Sequence, residues 1–160
     1  MTTLAIETPL ELVHFQLRTA LTMEDDSLAA LKVLGDAAKS SEITKMFRHH
    51  ADETREQIEN LHEVFRLLDL KDTTAPSPST KGIGRQAESL IKRSAPKMRD
   101  RVVLASALGN EHYEMAAYEA LLVPIRAMGA TDAVGLLQFN LDQETHTSEE
   151  LRAALQRMND

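Results

Sequence analysis

Four long stretches of the chain place apolar residues at alternating steps of three and four, the spacing that lines one face of a helix. The first stripe reads Leu10, Val13 or His14, Leu17, Leu21, Glu24, Leu28, Leu31. The second reads Ile43, Phe47, His50, Glu53 or Thr54, Gln57, Leu61, Val64, Leu68. The third reads Leu104, Ala107, Glu111, Glu114, Tyr118, Leu121, Ile125. The fourth reads Val134, Leu137, Leu141, Glu144, Ser148, Leu151, Leu155. Helix signals frame each stripe. Thr8, Pro9 and Glu11 form a capping box with proline in the first turn. Ser40 or Ser41 caps the second helix. Pro96 suits the start of the third, which runs to about Met128. Pro124 should kink it or strain its last turn, and Gly129 stops it. Thr131 then caps the fourth.

The connections predict a topology. Helices one and two are joined by a few residues and should be antiparallel neighbours. Asp69 to Gly84 is rich in Thr, Ser, Pro and Gly and reads as an exposed linker, followed by a short helical piece, Arg85 to Arg93. Extended chain spans ~3.3 Å per residue, so this connection can cross the whole length of a bundle. The expected fold is all-α: a four-helix bundle over residues 1–160, one domain, with a long crossover between helices two and three that contains a short extra helix.

Glutamate interrupts the stripes where Leu or Ile belongs. Glu24, Glu53, Glu111 with Glu114, and Glu144 each sit near the midpoint of their helix, on or beside the apolar face. In a bundle of similar-length helices the midpoints coincide, whichever way each helix runs. The acids should therefore meet in one interior layer. Each buried unpaired charge costs several kcal/mol, and no stripe carries Lys or Arg. Bound multivalent cations are the compensation that best matches a layer of oxygen ligands from facing helices. His50 stands on the same face as Glu53 and can add a nitrogen, and Gln57 lies on that stripe as well. His146 should point away, and Asp100 should cap or solvate the start of the third helix.

Composition narrows the field. A net charge of −7 argues against nucleic-acid and anionic-membrane partners. With no cysteine there is no disulfide, thiol nucleophile or thiolate metal site, which fits a cytoplasmic setting. Met1 to Glu7 lacks a basic start and a long apolar run, so no secretory signal is expected. No apolar run approaches the ~20 residues of a membrane span. G-x-S-x-G is absent, and Gly82-Ile83-Gly84 lacks the strand that a phosphate loop needs.

At Glu53-Thr54-Arg55-Glu56-Gln57-Ile58-Glu59-Asn60-Leu61, Glu111-His112-Tyr113-Glu114-Met115-Ala116-Ala117-Tyr118 and Leu141-Asp142-Gln143-Glu144, the chain resembles the ferritin-like stress proteins of the bacterial YciE/YciF type. The likeness runs from about Pro9 to Leu155. It implies a ferritin-type bundle with a dinuclear metal site, in which Glu24, Glu53, Glu111, Glu114 and Glu144 match the ligand positions. The chain departs from the Glu-x-x-His pattern of di-iron bundles: three residues after Glu53 stands Glu56, and three after Glu144 stands Thr147. Gln57 stands where relatives carry His, and Ser148 where they carry an acid. His50 or Gln57 would then take the place of the usual histidines.

Two functions follow. In the first, two divalent ions, iron ahead of manganese, are bridged by Glu53 and Glu144 or by Glu111 and Glu114. O₂ or peroxide then meets open coordination positions, for iron oxidation or for peroxide or oxygen reduction in a stress-linked role. In the second, the bundle is a non-enzymatic module for oligomerisation or partner binding, with Phe15, Phe47, Phe65 and Phe139 partly free for contacts. A homodimer is expected in either case. Tyr118, four residues after Glu114, can hydrogen-bond a ligand carboxylate, and is read first as a core tyrosine with a satisfied hydroxyl.

Overall fold

The computed structural model describes residues 5–159. Five helices follow one another: α1 (Pro9–Ala37), α2 (Ser41–Leu67), α3 (Pro78–Arg93), α4 (Arg99–Ala127) and α5 (Thr131–Arg157), with a 3₁₀ turn over Pro96–Met98 leading into α4. The helices named third and fourth above are α4 and α5. α1 opens with the expected box: Thr8 Oγ1 accepts from Glu11 N, and Glu11 Oε2 accepts from Thr8 N.

Two apolar clusters fix the helix directions. One gathers Val13 and Leu17 from the start of α1, Leu61 and Val64 from the end of α2, Leu121 and Ile125 from the end of α4, and Ala133 and Leu137 from the start of α5. The other gathers Leu31 and Leu34, Ile43 and Phe47, Val103 and Leu104, and Leu151 and Ala154. α1 and α5 therefore run opposite to α2 and α4. α1 packs on α2 and α4, and α5 packs on the same two helices. The chain leaves α2 at the first cluster and enters α4 at the second, so Leu68–Met98 carries it along the bundle.

That connection is not the free linker its composition predicts. Arg18 and Thr22 of α1 donate to the carbonyls of Thr74 and Ala75, and Ala75 N donates back to Arg18 O. Ala75, Ser77 and Thr80 are buried. The extra helix begins at Pro78 rather than Arg85, with Ser77 at its N-cap position and Pro78, whose fixed φ suits a helix start, in its first turn. It lies along α1 and α4.

Helix ends supply further corrections. Asp69 sits at φ 52 just past α2, with its N–H on Arg66 O and that of Leu70 on Phe65 O. This pair of bonds is a Schellman closure, here without the usual glycine. Gly129, at φ 73, ends α4 as expected, and Pro124 is accommodated in the last turn. Neither Ser40 nor Thr131 makes the expected side-chain cap: Ser40 is the N-cap of α2 without a side-chain bond, and the N-cap of α5 is Ala130. α2 is capped instead by Asp100 of α4, whose carboxylate accepts from Lys39 N at 2.6 Å and Ser40 N at 3.2 Å. Phe47 and Phe65 are core residues, while Phe15 and Phe139 are exposed. Leu10 is exposed as well, so the α1 stripe starts to bury at Val13.

Candidate metal centre

Between the two apolar clusters lies a polar layer. Glu24, Glu111, Glu114 and Glu144 are all at most 1% exposed, and His50 is 2% exposed. Helical spacing puts them there, since each continues a stripe whose other members are core residues. His50, Glu111, Glu114 and Glu144 offer one ligand atom each, all within 4.8 Å of one another. No lysine or arginine is buried among the described residues.

The hydrogen bonds divide the layer. His50 Nε2 is 2.7 Å from Glu111 Oε1, and its Nδ1 is 3.2 Å from Glu53 Oε2. Thr147 Oγ1 donates to that same Glu53 oxygen at 3.4 Å. On the other side, Tyr118 donates to Glu24 Oε1 and accepts from Asn140 Nδ2 at 3.1 Å. Much is left over. Glu24 Oε2, Glu111 Oε2 and both oxygens of Glu114 and of Glu144 are buried with no hydrogen-bond partner, and so is Gln57 Oε1. Native interiors satisfy nearly all such atoms, so unpaired carboxylate oxygens packed together fit a set of donors for cations.

The electrostatics follow from burial. Burial pushes the Glu24 carboxyl up to about 8, against the hydrogen bond from Tyr118. Burial also holds Glu114 and Glu144 well above the usual carboxylate range, reinforced by the charges of Glu24 and Glu111 on the first and of Glu114 and Glu111 on the second. For His50, burial disfavours the charged ring. The charge and hydrogen bond of Glu111, with the bond to Glu53, outweigh it and hold the ring well above its ordinary value. Glu53 is less buried. Its burial works upward, but the hydrogen bond and charge of His50 leave it below the usual range.

The seven residues singled out in the sequence divide accordingly. His50, Glu111, Glu114 and Glu144 come together. Glu24 is buried in the same layer, joined to it through its coupling with Glu114 and Glu111. Glu53 lies outside the group of four and grips the far nitrogen of His50; Thr54, not Glu53, is the fully buried member of that turn. Gln57 is fully buried but gives its Nε2 to Gln143 at 3.0 Å, leaving Oε1 free. His146 is exposed and faces Glu150. Three further polar residues of the layer were not singled out in the sequence: Asn140, Thr147 and Ser27 are buried. Asn140 and Thr147 sit four residues before and three after Glu144, a signal present in the helical period but shared with apolar Leu141.

Residues 8–160 match the family described as a domain of unknown function, DUF892. Protein YciF of Escherichia coli strain K12 is 29% identical over 124 residues, which cover 76% of this chain and 75% of YciF. The crystal structure of that E. coli stress protein is similar at a TM-score of 0.90 and 26% identity, over 97% of this chain and 99% of the other. YcfI of Rhodopseudomonas palustris is similar at 0.91 and 27% identity, over 95% and 98%. A Xanthomonas campestris protein at 22% identity and a TM-score of 0.74, over 92% and 91%, shares the fold. None of the described helices is long and apolar enough to cross a membrane.

Proposed function

This chain belongs to the DUF892 family, and we propose that its part in that family is to hold a pair of divalent cations in the middle of the bundle. One observation carries the reading: six buried carboxylate oxygens on Glu24, Glu111, Glu114 and Glu144 have no hydrogen-bond partner and no buried lysine or arginine beside them. Two divalent ions supply +4, which neutralises those four carboxylates when ionised.

The side chains fit the task. His50 presents Nε2 to the layer while Glu53 holds its Nδ1, the arrangement that fixes the ring of a metal-binding histidine. Glu111, Glu114 and Glu144 face it from α4 and α5. Glu24 closes the layer from α1, held by Tyr118. In this reading Glu53 positions His50. Carboxylate oxygens suit manganese and an imidazole nitrogen suits iron, and these two ions are the pair assigned to the site in this reading. Such ions, when bound, supply Lewis acidity and, for iron, one-electron chemistry toward O₂ or peroxide. A role in stress fits the description of YciF as a stress protein.

The test is elemental analysis of the purified protein, together with melting in Fe²⁺, Mn²⁺ and chelator. Binding to the folded state alone adds about 2.7 kcal/mol at a hundredfold excess over Kd, so the melting temperature should rise with either ion and fall with chelator. No bound metal and no shift would overturn the reading. Consumption of O₂ or peroxide by the loaded protein then separates turnover from storage.

A second reading, a module that associates through its surface, draws on the exposed apolar side chains Phe15, Phe139 and Val123, the last 71% exposed. Sedimentation of the metal-free protein as a homodimer would support it, and a monomer at all concentrations would not.

A further inference from the structure

The polar layer is sealed on most sides by packed side chains, so a cation needs a way in. Along the crossover helix one exists. Between α1 and α3 lies a surface cavity of about 200 Å³. A narrower cavity of about 20 Å³ adjoins it and shares six lining residues: Asp26, Ala30, Leu34, Thr80, Gly84 and Ala87. Its inner wall includes Glu111. Only the side chains shared by the two spaces part the surface cavity from the inner one, and the inner one ends against Glu111, a residue of the site.

The inner space is small but usable. A cavity above roughly 10–15 Å³ holds one water, and a divalent ion sits closer to its oxygen ligands than water does. Its polar wall is under-satisfied. Glu111 and Ser106 line it, and Glu111 Oε2 and Ser106 Oγ are buried without a hydrogen-bond partner. Glu111 is 1% exposed. The bore is set by small residues. Gly84 lines both cavities and has no side chain, and an added Cβ there meets no heavy atom within 4 Å, so a large side chain at this position has room to extend into the space the cavities share.

The mouth carries a carboxylate already holding a cation. Asp26 Oδ1 lies 2.5 Å from Lys81 Nζ, and Thr80 Oγ1 donates to Asp26 Oδ2 at 2.8 Å. The Lys81 side chain is 62% exposed, so its ion pair is weak and readily exchanged. We propose that divalent cations reach the buried site through the seam between α1 and α3, docking first on Asp26 in place of the Lys81 ammonium and passing Gly84 to Glu111. α3 is then the roof of an uptake passage as well as a connection. This rests on the metal reading above.

The experiment follows Co²⁺ uptake by its visible absorption, as a rate and as a final stoichiometry. Gly84→Leu should slow uptake by at least about tenfold, the equivalent of about 1.4 kcal/mol on the barrier, without changing the final stoichiometry. Gly82→Leu, in the same turn but outside both cavities, should load at the unaltered rate. Asp26→Asn should slow uptake at low Co²⁺. Since the chain has no cysteine, Gly84→Cys can be loaded before and after alkylation, which compares one folded protein with itself. Equal rates before and after alkylation, or equal slowing by Gly82→Leu, would overturn the passage while leaving the metal site standing. No Co²⁺ at equilibrium on the unaltered protein would overturn the metal site and the passage together.

Discussion

The hydroxyl of Tyr118 on α4 donates to Glu24 on α1, and both side chains are fully buried. Asn140 of α5 donates to the same hydroxyl at 3.1 Å, and Asn60 of α2 donates to Asn140 at 2.9 Å. All four long helices thus contribute to one line of donors that ends on a carboxylate. Tyr118→Phe removes the last donor and leaves Asn140 Nδ2 with the Gln57 carbonyl, at 3.2 Å, as its one remaining acceptor. The expected cost is about 1–3 kcal/mol in urea unfolding of the metal-free protein. Metal affinity should fall about 10–100-fold, read by competition with a chelator. Affinity unchanged by the substitution would separate this tyrosine from the site.

Glu114→Gln should move two measurements in opposite directions. Both oxygens of Glu114 are buried and unpartnered, and folding must either bury its charge or protonate it, so a neutral amide there should stabilise the metal-free protein by about 1–3 kcal/mol at neutral pH. The same change should weaken Co²⁺ or Mn²⁺ binding at least about tenfold. A loss of stability in the metal-free state would mean that the carboxylate has a partner it needs.

The pH dependence has a definite sign. Glu24 is raised to about 8, and Glu114, Glu144 and His50 are raised as well. Groups raised on folding bind more protons in the native state than in the unfolded chain, so stability falls as pH rises through the window between the two values. For the carboxyls that window opens near the ordinary 4.5 and reaches about 8 for Glu24. Glu53 is lowered and acts only below 4.5, where its contribution is lost as pH falls. The metal-free melting temperature should therefore decline from about pH 5 to pH 8. Loading with metal should flatten that decline and release protons, measurable with an indicator dye. A metal-free profile that rises over this range would refute the buried, proton-holding layer.

Asp100 provides a control far from the layer in sequence and role. Asp100→Ala removes the acceptor of two backbone N–H groups at the start of α2, and should cost about 0.5–2 kcal/mol. Final Co²⁺ stoichiometry should be unchanged. A loss of stoichiometry would show that the α2 terminus positions His50.

The acids of the interior were legible because a helical period is a local property. Glu111 and Glu114 repeat the spacing of Leu104 and Leu121, and that spacing alone turns them inward. A period cannot separate adjacent positions on the edge of a face, so Glu53 and Thr54 were left as alternatives. Packing buries Thr54 and leaves Glu53 beside His50. The same ambiguity hid Asn140 behind Leu141. The spacing offers the Tyr118 hydroxyl a ligand carboxylate or some other core partner, and does not choose between them, because the carboxylate it meets, Glu24, lies 94 residues away. The length of α3 was missed because Gly82 and Gly84 look like breakers until α1 and α4 offer a face to pack on.

The sequence by itself determined four amphipathic helices, the inward direction of Glu24, Glu111, Glu114 and Glu144, and the level at which those four lie. Spacing along one chain segment carries that information, because each helix turns by a fixed angle per residue. Only the tertiary structure decided that His50 faces Glu111, that Glu53 holds the other nitrogen of His50, that Asp100 binds the backbone at the start of α2, and that α3 packs along α1 and α4. Those relations depend on how far each helix slides along its neighbours, and that offset is set by the packing of the two apolar clusters on either side of the layer.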